Sequence, residues 1–123
     1  MPVTPVIGID HVQLAMPAGE EQRAREFYGD VLGLPEKVKP PELARRGGCW
    51  FETAGVKIHL GVDQRFQPAT KAHPGLLVDD LQAIIERCHA RGFVTRADAP
   101  LEGYLRVFVD DPFGNRLELL QQL

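Results

Sequence analysis

Four side chains of this chain could do metal chemistry together: His11, His59, His73 and Glu118. Imidazole nitrogen suits zinc, nickel, copper and iron, and one carboxylate lowers the net charge of such a site and fixes its geometry. Two histidines and a carboxylate with open positions also describe the ligand triad of non-haem iron oxygenases. The residues around them alternate as strands do. In Ile9-Asp10-His11-Val12-Gln13-Leu14, Val12, Leu14 and Met16 share one face, opposite His11, Gln13, Ile7, Ile9 and Ala15. In Val56–Val62, an apolar row of Val56, Ile58 and Leu60 stands opposite Lys57, His59 and Gly61. The fourth histidine, His89, lies beside the apolar stripe of a helix with no counterpart elsewhere, and is read as an ordinary satisfied or exposed side chain.

The elements that must position these residues come in two similar runs. A strand through His11 ends at Pro17-Ala18-Gly19, and a helix is expected over about 20–32. There Ala24, Phe27, Tyr28 and Val31 form the buried stripe and Gly33 closes the end. Pro35, Pro40 and Pro41 leave room for a short edge strand near 36–39 and then a loop. Strands follow at Cys49–Thr53 and Val56–Val62, joined by Ala54-Gly55. After a polar connection the pattern restarts: a strand over Ala72–Val78, then a helix from Asp79-Asp80 to about Arg91 with Leu81, Ile84, Ile85 and Cys88 as its stripe. Short strands are expected at Phe93–Arg96, Tyr104–Asp110 and Arg116–Gln121.

This is an internal duplication of strand–helix–strand–strand–strand. His11 and His73 each stand in the strand before a helix, 73 − 11 = 62 residues apart. Gly55-Val-Lys-Ile-His59-Leu60 matches Gly114-Asn-Arg-Leu-Glu118-Leu119 at 118 − 59 = 59. Four potential ligands therefore occupy two equivalent positions in two repeats.

Composition limits the classes of function. A chain of 123 residues makes one domain, with repeats over about 7–62 and 72–121. A net charge of −3 with no concentrated basic patch argues against nucleic acid or a membrane surface as partner. Cys49 and Cys88 have neither disulfide-framework nor CxxC spacing and are expected to be buried thiols. The N-terminal residues show no basic region followed by an apolar one, so the cytoplasm is the expected compartment.

The segments IDHVQLAM, EFYGDVLGL, VKIHLGV, KAHPGLLVDD and VDDPFGNRLELLQ resemble the vicinal oxygen chelate superfamily. Its members include glyoxalase I, fosfomycin- and bleomycin-resistance proteins, methylmalonyl-CoA epimerase and extradiol dioxygenases. The resemblance implies an α+β fold of two βαβββ modules. Their sheets form a curved, cup-shaped mixed sheet around a divalent metal (Zn, Ni, Mn or Fe), with the helices on the outer face and the chain paired as a homodimer. It further implies His11, His73 and Glu118 as ligands. His59 stands where glyoxalase I relatives place a glutamate and the epimerase a glutamine, and is expected to be a fourth ligand or the catalytic base. Gln13 replaces the small hydroxyl residue of fosfomycin-resistance enzymes, whose serine-rich loop is missing around 99–104. Bleomycin-binding relatives lack the ligands present here, and extradiol dioxygenases are usually longer. The function so implied is a glyoxalase-like lyase or isomerase that moves a proton on a small molecule chelated through neighbouring oxygens. The alternatives are an Fe(II) dioxygenase and a binding protein without turnover. Gln13, Trp50, Tyr104 and Arg106 are the candidate substrate contacts; Arg106 shares a strand face with Tyr104 and Phe108.

Overall fold

A computed structural model of the chain describes residues 3–123. Strand β1 (Val12–Met16) leads into helix α1 (Glu21–Ala24), which continues without a break as a π-helical stretch over Arg25–Val31. Then come β2 (Glu36–Lys37), a one-turn helix α2 (Pro41–Ala44), β3 (Cys49–Glu52) and β4 (Lys57–Val62). The second run is β5 (Gly75–Leu77), α3 (Leu81–Ala90), β6 (Thr95–Arg96), β7 (Tyr104–Asp110) and β8 (Arg116–Gln122). Each run builds its own four-stranded mixed sheet, in the orders β1-β4-β3-β2 and β5-β8-β7-β6. In both, the first strand is parallel to the last and the other neighbours are antiparallel.

The registers reproduce the duplication residue by residue. Gln13 stands opposite His59, and Gly75 opposite Glu118. The next strands put Trp50 beside His59 and Phe108 beside Glu118. Lys37 and Arg96 complete the two rows. The rows Gln13–His59–Trp50–Lys37 and Gly75–Glu118–Phe108–Arg96 are thus one design with two chemistries.

Three expectations need correction. The first strand begins at Val12 and the fifth at Gly75, so His11 and His73 precede their strands instead of lying within them. The first helix is not α-helical throughout: Leu32 N–H bonds the Phe27 carbonyl oxygen, five residues back, at 2.9 Å. That wider turn buries the adjacent rings of Phe27 and Tyr28 together with Ala24 and Val31. The stretch expected as loop after Pro40 contains α2, with Pro41 in its first turn, where a missing N–H costs nothing.

Both modules contribute to one core. Met16, Phe27, Tyr28, Phe51, Ile58 and Leu60 from the first run pack in the same cluster as Leu81, Cys88, Val109, Leu117 and Leu119 from the second. Phe27 meets Phe93 edge to face, with ring centres 4.9 Å apart. Arg87 donates to the Asp30 carbonyl oxygen at 2.6 Å. Cys49 and Cys88 are free, buried thiols, and burial pushes the Cys49 thiol up to about 11.

A buried polar joint connects the two modules. Tyr28 O–H donates to Asp111 Oδ2 at 2.6 Å, and Asn115 Nδ2 donates both to that oxygen and to the Ala15 carbonyl. The Phe113 and Asn115 backbone N–H groups donate to Asp111 Oδ1, each at 2.9 Å. Burial pushes the Asp111 carboxyl up, while these four donors oppose it. Asp111→Asn would turn an amide N–H2 toward fixed donors. It is expected to cost about 3 kcal/mol of stability, and about 10 °C in Tm, in urea and thermal unfolding. A cost below about 1 kcal/mol would mean that the joint does not hold the modules together.

Candidate functional site

The face of each sheet away from the shared core carries the candidate residues. In the second module, His73 Nδ1–H donates to the Lys71 carbonyl oxygen at 2.9 Å. A carbonyl only accepts, so this bond assigns the proton to Nδ1 and the lone pair of the neutral ring to Nε2. Nε2 faces Glu118 Oε1 at 3.3 Å. Two lone-pair atoms this close need a cation between them, a proton or a metal ion. Two ligand atoms each about 2.1 Å from one ion, at roughly 100° to one another, lie about 3.2 Å apart. The pair therefore fits half of a metal site.

Glu118's other oxygen is engaged as well. Arg106 Nη1 donates to Oε2 at 2.9 Å, while Arg106 Nη2 donates to the Ala99 carbonyl at 2.7 Å. The Phe108 ring lies beneath, edge to face with His73 at 5.2 Å, and the Arg106 guanidinium stands 5.6 Å from the Phe108 ring centre.

The first module arranges the same positions differently. His59 is buried and held flat between Trp50 and His11, with ring centres 4.3 Å away on each side. Its Nε2–H donates to Glu52 Oε2 at 2.6 Å. That bond, with help from Lys37 3.4 Å from Oε1, holds the Glu52 carboxyl below its ordinary value. His11 turns Nδ1 to Asp10 Oδ2 at 2.9 Å, and this bond lowers the Asp10 carboxyl. The His11 Nε2 lone pair is left for another partner.

The structure brings together His73 with Glu118, and His11 with His59, but among the described residues no three such side chains converge on one point. His11, expected as a ligand beside His73 and Glu118, stacks on His59 in this chain. Gln13 lines a cleft between β1 and the loop before β5 that also contains His73, Asn115 and Arg116. Trp50 is the stacking partner of His59. Tyr104 pairs with Gln122 at the far end of β7, four residues along from the Phe108–Glu118 pair, and is not brought to the site. His89 bonds Thr95.

Sequence reasoning passed over Glu52. Its signal was present: in Cys-Trp-Phe-Glu, alternation puts Glu52 on the same face as Trp50, one strand away from His59.

Comparison with known proteins gives a consistent picture. The family model described as "Glyoxalase/Bleomycin resistance protein/Dioxygenase superfamily" matches residues 8–119. Among solved structures, a glyoxalase family protein from Bacillus anthracis is 41% identical, with TM-score 0.92, covering 99% of this chain and 100% of that one. The fosfomycin resistance protein FosX from Listeria monocytogenes is 17% identical, with TM-score 0.75, covering 96% of this chain and 95% of its own. The antibiotic binding protein TnmS3 from Streptomyces sp. CB03234 is 22% identical, with TM-score 0.68, covering 96% and 100%. At those two identities the likeness is one of fold. None of the curated proteins matches the chain.

Proposed function

Because the chain belongs to the glyoxalase/bleomycin resistance protein/dioxygenase superfamily, we propose that it is a divalent-metal-dependent enzyme that moves a proton on a small molecule carrying two neighbouring oxygens. The observation that carries this is the His73–Glu118 pair, 3.3 Å apart with the His73 proton held on the other nitrogen. His73 Nε2 and Glu118 Oε1 would hold the ion, with His11 Nε2 as third ligand. A bound divalent ion supplies Lewis acidity toward substrate oxygens.

The third ligand comes from a second copy of the chain in this reading. Strands β1 and β5 are open edges of their sheets, and Ile7, Ile9 and Leu77 beside them are exposed. Unpaired edges and exposed apolar side chains favour association. A homodimer would place module one of one protomer against module two of its partner. His59 then stands beside the site as the base, oriented by Glu52, and Trp50 walls off its other face. No helix of the described chain is long and apolar enough to cross a membrane.

Metal content and affinity test this directly. The purified protein should bind about one divalent ion per chain, as a dimer by light scattering. Replacing His73 or Glu118 by Ala should weaken binding, and replacing His89 should not. Oxygen uptake with a catechol would move the assignment to a dioxygenase. Tight ligand binding without turnover of dicarbonyl–thiol adducts would move it to a binding protein.

A further inference from the structure

We propose that Arg106 is a positioning residue for Glu118, one that presents a single carboxylate oxygen to the metal and holds the other away from it. The inference rests on the metal reading above. Arg106 stands one strand over and diagonally from Glu118, since Arg106 pairs with Leu120 and Phe108 pairs with Glu118. A diagonal neighbour lies about 7–8 Å away, within reach of a long side chain. Its Nη1 binds Oε2 at 2.9 Å, while Oε1 is the oxygen that faces His73 Nε2. The guanidinium is itself fixed at three points: the Ala99 carbonyl at 2.7 Å, Asp98 Oδ2 at 4.0 Å and the Phe108 ring. Both partners are largely shielded, with the Arg106 side chain 18% and the Glu118 side chain 12% exposed. A planar, anchored donor of this kind gives the carboxylate one orientation.

The duplication shows that the contact is specific to one module. Trp50 is the counterpart of Phe108, so Gly48 is the counterpart of Arg106. A Cβ at Gly48 would run into the Leu60 carbonyl oxygen, so no side chain can stand over His59 from there. His59 instead receives a carboxylate from Glu52. Each module thus supplies its central residue with a hydrogen-bonding partner from a different position. In module two, that partner is a cation next to a ligand.

A guanidinium near a metal ion also repels it. The Arg106 charge already faces Glu118 Oε2 and lies near Asp98, which reduces its field at the metal. Removing it would leave Oε2 shielded and without a donor, and the carboxylate free to rotate. Disrupting the groups that orient metal ligands typically weakens metal affinity by about 10–100-fold.

The test is titration of the apo protein with Zn(II), by chelator competition, and with Co(II), by visible absorption. Arg106→Met and Arg106→Lys are compared with wild type. Arg106→Met should bind Zn(II) about 10–100-fold more weakly and alter the Co(II) spectrum, which reports ligand geometry. Arg106→Lys keeps the charge without the fork, and should fall between the two. It carries the test alone if Arg106→Met does not fold. Wild-type affinity and spectrum in the variants, or tighter binding, would overturn the inference while leaving the metal reading intact. Absence of divalent-ion binding by the wild-type protein would overturn both.

Discussion

Mixing two variants that each lack a complete site, His11→Ala and Glu118→Ala, is expected to restore binding and turnover to about a quarter of the wild-type level. The expectation follows from the proposed dimer. Phe27 against Phe93 and Arg87 against Asp30 tie the first helix to α3 and the segment that follows it within one chain. In the proposed dimer, the face carrying His11 would complement the face carrying His73 and Glu118 of the second copy. In a mixed dimer, one site inherits both substitutions, while the other combines intact His11 with intact His73 and Glu118. Random exchange makes about half of the dimers mixed, each with one working site of two. Native mass spectrometry reports whether the subunits have exchanged. Exchange without recovery would show that the three residues do not form a site across the dimer.

The two repeats, their element order and even the register were legible because strand alternation and the stripe spacing of helices survive in a short chain. The offsets 62 and 59 read from His11/His73 and His59/Glu118 return as the pairs Gln13–His59 and Gly75–Glu118. What was not legible depends on contacts distant in sequence. The π-helical stretch arises because Phe27 and Tyr28, adjacent in the chain, both bury, Tyr28 against an Asp111 that is 83 residues away. The strand ends at Val12 and Gly75 fall short of the ends of β4 and β8, which begin at Lys57 and Arg116, and alternation cannot reveal this. Which faces meet is decided by the helices, whose stripes show that they bury but not against what. The partners of the candidate residues were hidden for the same reason: Glu52 and Arg106 act across strands, and neither is adjacent in sequence to the residue it orients.

His59→Ala is expected to leave metal content unchanged and to lower turnover by about 10²–10⁴-fold, the usual contribution of a positioned general base. The sequence left His59 between ligand and base. Its geometry now favours the base: Nε2–H is engaged by Glu52 at 2.6 Å, and the ring is held by stacking on Trp50 and His11. A ring fixed in this way keeps its lone pair on Nδ1, and imidazole is the side chain best suited to exchanging protons near neutral pH. Glu52 then acts through His59, by holding its tautomer and orientation. Glu52→Gln can still accept from Nε2–H but loses the charge, or it can donate to Nε2 and move the ring proton to Nδ1, where it blocks proton uptake. Turnover should fall in Glu52→Gln too, with metal affinity retained. The measurements are metal content by elemental analysis and turnover on whichever dicarbonyl–thiol adduct the wild-type enzyme converts. Loss of metal in His59→Ala would make His59 a ligand, and unchanged metal with unchanged turnover would leave it as part of the lining.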